Sequence, residues 1–241
     1  MLVYKITQES LIETTFESFT SDLQNQYWII LNPEELRTKN EYFHFSYHTI
    51  NDCIHNDDAA KLDVYENYSF GILNIIDVTK NFFELDELDF YLTRNHLIFV
   101  SKKNLTILDE IKKAIYSKGA LSLSIENILY TLFDKLTSTD YNMLSELESK
   151  ITSVEDDVIE GKTKDYVTDI LSLKNKLLFL KKHYEPLLDI VEDLTKNENG
   201  ILNEKSIAYF IISFNRIERL DRKVGNLRDY VTQVRESYQA Q

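Results

Sequence analysis

Turn chemistry is scarce in this chain of 241 residues, which holds five Gly and two Pro. Long regular elements must therefore dominate it. A single cysteine, Cys53, excludes an internal disulfide and suits a reducing compartment. No apolar run approaches the ~20 residues needed to span a bilayer. The mixed polar stretch from Met1 to Ser10 lacks the pattern of a secretory signal, so the chain as given is expected to be soluble. Basic residues are also short, at 27 Lys and Arg against 40 Asp and Glu, leaving a net charge of −13. With no basic stripe to offset that charge, a nucleic-acid partner is not expected. An acidic surface suits cations, basic partners or plain solubility. Neither a G-x-G-x-x-G run nor a P-loop is present. No nucleophile elbow is recognisable, and carboxylates are too frequent to single out a hydrolytic pair. Without a catalytic constellation, the chain is not expected to be an enzyme.

What the chain does have is heptad order. Ile170, Leu173, Leu177, Leu180, Tyr184, Leu187, Val191 and Leu194 are spaced in alternating steps of three and four, so they share one helical stripe. Leu144, Leu147, Ile151, Val154 and Val158 form a second stripe. A third runs from Ile207 through Phe210, Phe214, Ile217, Leu220, Val224, Leu227, Val231 and Val234 to Tyr238. The spacing predicts three helices, over 124–160, from Thr163 or Lys164 to about Lys196, and from near Asn203 onward. Gly161 should stop the first, and Pro186 should kink the second. The third stripe still runs at Gln241 with no cap, as expected of a piece of something longer. Its far end has no evident partner in the first hundred residues, so in a monomer it is expected to be exposed.

The first hundred residues read differently. Strands are expected over 2–6, 27–31, 68–76, 87–92 and 96–100. A tight turn at Arg94-Asn95 should join the last two. Asn32-Pro33-Glu34-Glu35 is a helix start: an Asn cap, Pro at the first position, then acids at the positive end of the dipole. Short helices are expected over 46–54 and 105–117, the latter stopped by Gly119. The expected fold is α+β: a mixed-sheet α/β domain over residues 1–122, then a helical domain over 123–241 ending in a coiled-coil-like stalk.

Two clusters invite a metal reading. His44, His48, Cys53 and His55 fall within twelve residues, and His44 and His48 at i, i+4 could share a helix face. Their spacing fits no standard zinc pattern, and neighbours Phe43, Phe45 and Tyr47 favour ordinary packing. Glu155-Asp156-Asp157 with Glu160 and Asp165 makes an acidic patch at a helix end. A hard cation would accept those oxygens, while a solvated helix face is the plainer reading.

Several segments in order resemble the cytoplasmic half of the CorA family of divalent-cation channels. Residues Lys61-Leu62-Asp63-Val64-Tyr65-Glu66-Asn67-Tyr68-Ser69-Phe70 are similar to the family's run into a central strand. Asp89 to Val100 looks like its next hairpin. Leu129-Tyr130-Thr131-Leu132-Phe133-Asp134 resembles the start of its helical part. Leu171 to Leu180, followed by Tyr184-Glu185-Pro186-Leu187, resembles its second helix with the internal proline. The resemblance implies a homopentameric funnel on the cytoplasmic side of the inner membrane. The third helix would continue into membrane spans beyond Gln241, where the family's Gly-Met-Asn signature also lies. It further implies regulatory Mg2+ between neighbouring copies, with Asp77 and Asp134 as the matching metal residues. The family's His-x-Arg-Pro-Lys turn is Asp57-Asp58-Ala59-Ala60-Lys61 here, and the acid expected near the start of the stalk falls at Ile212, with Asn215 one turn on.

The function this implies is the ion-sensing and gating domain of a Mg2+ (Co2+/Ni2+) channel, without its pore. The isolated piece is expected to be a monomer or weak dimer. The alternatives are the cytoplasmic domain of a ZntB-type zinc transporter and a cytosolic coiled-coil scaffold.

Overall fold

The computed structural model describes residues 1–8, 10–22, 24–55, 59–76, 84–117, 123–162 and 165–240. Its first half is built on seven strands: β1 (Leu2–Ile6), β2 (Leu11–Thr14), β3 (Gln26–Leu31), β4 (Lys61–Val64), β5 (Ser69–Ile76), β6 (Leu85–Leu92) and β7 (His96–Val100). They form one sheet in the order β2-β1-β3-β7-β6-β5-β4. Among the described residues only β3 and β7 pair in parallel, through Trp28↔Leu97 and Ile30↔Phe99, so the sheet is mixed as expected. The alternation of each strand sends side chains to opposite faces. Tyr4, Trp28, Leu73, Phe90 and Phe99 point to one face, and Val3, Tyr27, Ile29, Ile72, Tyr91 and Ile98 to the other. Gly71 lies opposite Phe90, and a Cβ at Gly71 would come within 2.2 Å of the Phe90 ring. The missing side chain is what lets that ring lie flat on the sheet.

Three short helices cover the second face: α1 (Phe16–Thr20), α2 (Pro33–Phe43) and α3 (Tyr47–His55). The start of α2 is the expected one. The Asn32 side chain accepts from Glu35 N at 2.9 Å, and Glu35 accepts from Asn32 N at 2.9 Å, a reciprocal capping box with Pro33 first in the helix. Strands β2 and β4 and helix α1 were not anticipated. The first two are four-residue edge strands, too short for alternation to be diagnostic.

The other face carries α4 (Thr106–Ser117), α5 (Ile125–Leu136), α6 (Asp140–Ile159), α7 (Val167–Lys196) and α8 (Glu204–Gln239). Helix α8 has 36 residues, about 54 Å at 1.5 Å per residue. Pro186 lies inside α7, which continues through it. Gly161 adopts a positive φ after α6, as its place after the last stripe residue requires. Gly119, Thr163 and Lys164 lie outside the described residues.

The helix expected over 124–160 is two helices. Stripe positions 137 and 140 carry Thr and Asp, and periodicity alone ran through them. Thr137 Oγ donates to Phe133 O at 3.0 Å and Ser138 Oγ to Lys135 O at 3.1 Å. Such hydroxyls compete for helical carbonyls, and here they end α5. Asp140 then opens α6, its buried carboxylate accepting from Tyr184 OH at 2.8 Å.

The far end of the α8 stripe corrects a second expectation. Leu227, Val231 and Val234 are only 2–3% exposed within one chain. Their cover is α6 and α7, which lie along α8. The stripe is an internal core because the two preceding helices are long enough to cover it. All eight stripe residues of α7 are buried with it. One apolar cluster therefore runs unbroken from Tyr4 on the sheet to Val234 on α8.

Candidate metal site and family

Asp134 sits near the end of α5, one turn before the break, with its side chain 24% exposed. Its carboxylate is not free. Arg216 of α8 donates to Oδ1 in a close ion pair, with a guanidinium 27% exposed. One turn N-terminal to Arg216 stands Ile212, 48% exposed beside the equally exposed Ile211. Asp77 lies outside the described residues, so only Asp134 of the two expected metal residues can be placed.

Neither sequence cluster comes together as a ligand set. His44 is the C-cap of α2 with φ 56°, while His48 sits on α3, so they do not share a helix face as expected. Cys53 is buried against the Tyr91 hydroxyl at 3.6 Å. Burial and the neighbouring Asp89 charge push its thiol well above the ordinary range, so it stays protonated. At the end of α6, Lys162 occupies the acidic patch, 2.5 Å from Asp157 and 3.0 Å from Glu160. Elsewhere Lys61 bridges Asp52 at 3.0 Å and Asp63 at 3.2 Å. These ammonium groups stand where a bound cation would otherwise be needed.

Among the described residues, no group of three or more His, Cys, Asp or Glu side chains could hold a metal ion. The described residues of a single chain thus offer no closed centre. Mg2+ commonly keeps several waters and takes only one or two carboxylates.

Asp89 and Asp140 are two of the buried acids that escaped sequence reading. Asp89 on β6 is 2% exposed, with Oδ1 unpartnered among the described residues. Burial, then the nearby Glu87 charge, pushes its carboxyl up to about 8. Asp140 is raised to about 6, mainly by burial and against the pull of the Tyr184 hydrogen bond. An Asp at an inward strand position between Leu88 and Phe90 was the available signal for the first.

Among the described residues, no helix is long and apolar enough to cross a membrane. A family model described as CorA-like Mg2+ transporter protein matches residues 24–241. The cobalt/magnesium transport protein CorA of Thermotoga maritima is 24% identical over 202 residues, 82% of this chain and 58% of that protein. The chain therefore spans little more than half the length of that relative. Among solved structures, the ZntB cytoplasmic domain from Vibrio parahaemolyticus superposes with a TM-score of 0.82 at 14% identity, covering 100% of this chain and 96% of that one. The complete CorA magnesium transporter from Methanocaldococcus jannaschii gives 0.78 at 15% identity, covering 100% and 77%. At such identities the superpositions establish the shared fold, and it is the family match over nearly the whole sequence that assigns this chain to the CorA-like Mg2+ transporter proteins, a family of transporters and not of enzymes.

Proposed function

We propose that this chain is the cytoplasmic ion-sensing and gating part of a divalent-cation channel, working as a homopentamer with α8 as the stalk leading to membrane spans. The observation that carries this is the outward face of α8. Ala208, Ile212, Asn215, Arg219, Arg222 and Asn226 recur there at steps of three and four, all exposed. Ile211 and Ile212 leave an apolar patch on that face. Gly225 is half-buried beside it, and a Cβ there would meet nothing within 4 Å. A mid-helix glycine costs about 1 kcal/mol relative to alanine, and nothing inside one chain requires it. Close approach of a second α8 would.

The physical basis of sensing is charge. Copies carrying −13 each repel one another. Hydrated Mg2+ held between them by Asp77 and Asp134 would relieve that repulsion and favour the closed ring. Asp134 would have to exchange its contact with Arg216 for the ion, so its response should be graded. The sheet-bearing residues 1–122 would form the sensing domain and residues 123–241 the lever. In the whole protein the chain would lie on the cytoplasmic side of the inner membrane.

Mg2+ is the ion favoured by the family description, and the name of the Thermotoga relative adds cobalt. The V. parahaemolyticus ZntB fold match keeps zinc as the second reading. The test is protease protection of the full-length protein by millimolar Mg2+ or micromolar Zn2+. Asp134→Ala and Asp77→Ala should weaken protection by Mg2+. Unchanged protection in both variants removes them from the site, and protection by Zn2+ alone favours the second reading.

A further inference from the structure

A cavity of about 400 Å3 opens between α1, the end of α2, the β6–β7 turn and the turn that joins α7 to α8, and Asp134 is not among its lining residues. Its walls are aromatic. Phe19, Tyr42, Phe43 and Phe45 line it, with His96 among them and Arg94 and Glu66 as its charged groups. That volume and lining suit a small organic molecule more than a metal ion.

The walls are preorganised. His44 takes the left-handed conformation at the end of α2. Asn40 clamps the turn, its Oδ1 accepting from Phe45 N at 2.9 Å and its Nδ2 donating to Phe45 O at 3.1 Å. The reversal brings the Phe43 and Phe45 rings together at 5.4 Å with only 4° between their planes. The Phe19 ring meets the His96 imidazole edge-on at 4.9 Å. Thr93 fixes the β6–β7 turn, its Oγ accepting from His96 N at 2.9 Å. That turn presents Arg94, which is exposed and has no ion-pair partner among the described residues.

Two polar groups there are left unanswered. His96 Nε2 is shielded from solvent without a hydrogen-bond partner among the described residues. Burial lowers that imidazole to about 4, so it is neutral at physiological pH. An unmade bond at a buried nitrogen costs about 1–3 kcal/mol. Arg94 supplies an unpaired guanidinium in a chain of strong negative charge, suited to a carboxylate or similar anion. Glu66 nearby repels additional negative charge.

We infer that this cavity is a binding site for a small planar aromatic monoanion. The ring would lie among Phe19, Tyr42, Phe43 and Phe45, and the anionic group would meet Arg94. The inference does not rest on the proposed inter-copy ion site.

The test is calorimetric or ligand-observed NMR titration of this chain with 4-hydroxybenzoate and indole-3-acetate. Cyclohexanecarboxylate serves as the non-aromatic control and AMP as the more highly charged one. Saturable binding with a Kd on the order of 0.1–1 mM is expected for a ligand of this size. It should weaken about tenfold or more in Arg94→Gln, a substitution at an exposed turn position that leaves the core untouched. Tyr42→Ala, at a residue 51% exposed, should weaken binding while the melting temperature stays close to that of the parent. Cyclohexanecarboxylate and AMP should bind several-fold less well. No saturable binding by either aromatic acid up to about 10 mM would overturn the inference. So would equal binding of the aromatic and alicyclic acids, or binding indifferent to Arg94→Gln.

Discussion

The two faces of the sheet are packed by different means. The face under α4 to α8 joins a long, mostly aliphatic core whose members recur at helical spacing along α6, α7 and α8. The face under α1 to α3 is smaller and rich in aromatic rings, from Phe16 and Phe19 through Phe45 to Tyr91. It also holds Asp89, Cys53 and the shielded nitrogen of His96. Long helices can bury a continuous stripe, so regular aliphatic packing suffices. Short helices cannot, and there large rings fill the gaps. The difference separates a face packed by repeated aliphatic stripes from one packed ring by ring.

The largest effect should come from breaking the long-helix face. Leu227→Asp would place an unpaired carboxylate in the α6–α7–α8 core, at a cost on the order of 4 kcal/mol or more. Thermal denaturation of this chain should show a collapse of the folded state. A near-normal melting temperature would mean that α8 is not held by its own chain.

A smaller loss on the same face is expected from Gly71→Ala. The new methyl meets the buried Phe90 ring, and overpacking of this kind costs about 1–3 kcal/mol. Urea denaturation should show a lowered midpoint with an unchanged slope. Relief by Phe90→Leu in the double variant would identify the clash as the cause.

The short-helix face should show itself through pH. The Asp89 carboxyl is raised to about 8 in the folded chain, against an ordinary value near 4. The proton is therefore bound more tightly when folded. Its stabilising contribution is full below pH ~4, is lost as pH rises, and is gone above about pH 8. Within that window the loss approaches at most about 1.4 kcal/mol per pH unit. Asp89→Asn should flatten the fall in stability between pH 5 and 8, measured against wild type. Asp140, raised to about 6, acts in the same direction but loses its contribution by about pH 6. A stability profile identical in wild type and Asp89→Asn would remove the buried proton from the account.

The smallest effect on folding belongs to the outward face of α8. Ile212→Asp should change the melting temperature of this chain little, within about 0.5 kcal/mol, because Ile212 packs on little in one chain. In the full-length protein the same change should reduce assembly, as read by native mass spectrometry. Leu227→Asp and Ile212→Asp thus separate the inner and outer faces of one helix.

Much of this was legible in the residue order. Three stripes of apolar residues announced long helices and the faces they bury, because a helix repeats every 3.6 residues whatever lies around it. The capping box at Asn32 and Glu35 could be read locally for the same reason. The break between α5 and α6 was not, although Thr137 and Asp140 marked it, because the stripe positions continue across it. The cover of Leu227, Val231 and Val234 was misjudged. Sequence shows that a stripe needs a partner but not whether a neighbouring helix is long enough to supply one.

The candidate sites divide along the same line. Asp134 was picked out by its surroundings in the sequence, yet its pairing with Arg216 spans 82 positions and exists only because α8 returns beside α5. The aromatic cavity draws on α1, α2, the β6–β7 turn and Ile201 before α8, segments with no common spacing. By itself the sequence determined the elements with a strong period and the sign of the surface charge, since each follows from local composition and repeat. Tertiary structure alone decided which acids are buried, which carboxylates already hold a cation of the chain's own, and where unpaired polar atoms meet a preformed aromatic wall. Those depend on distances between segments far apart in the chain, which no local pattern encodes.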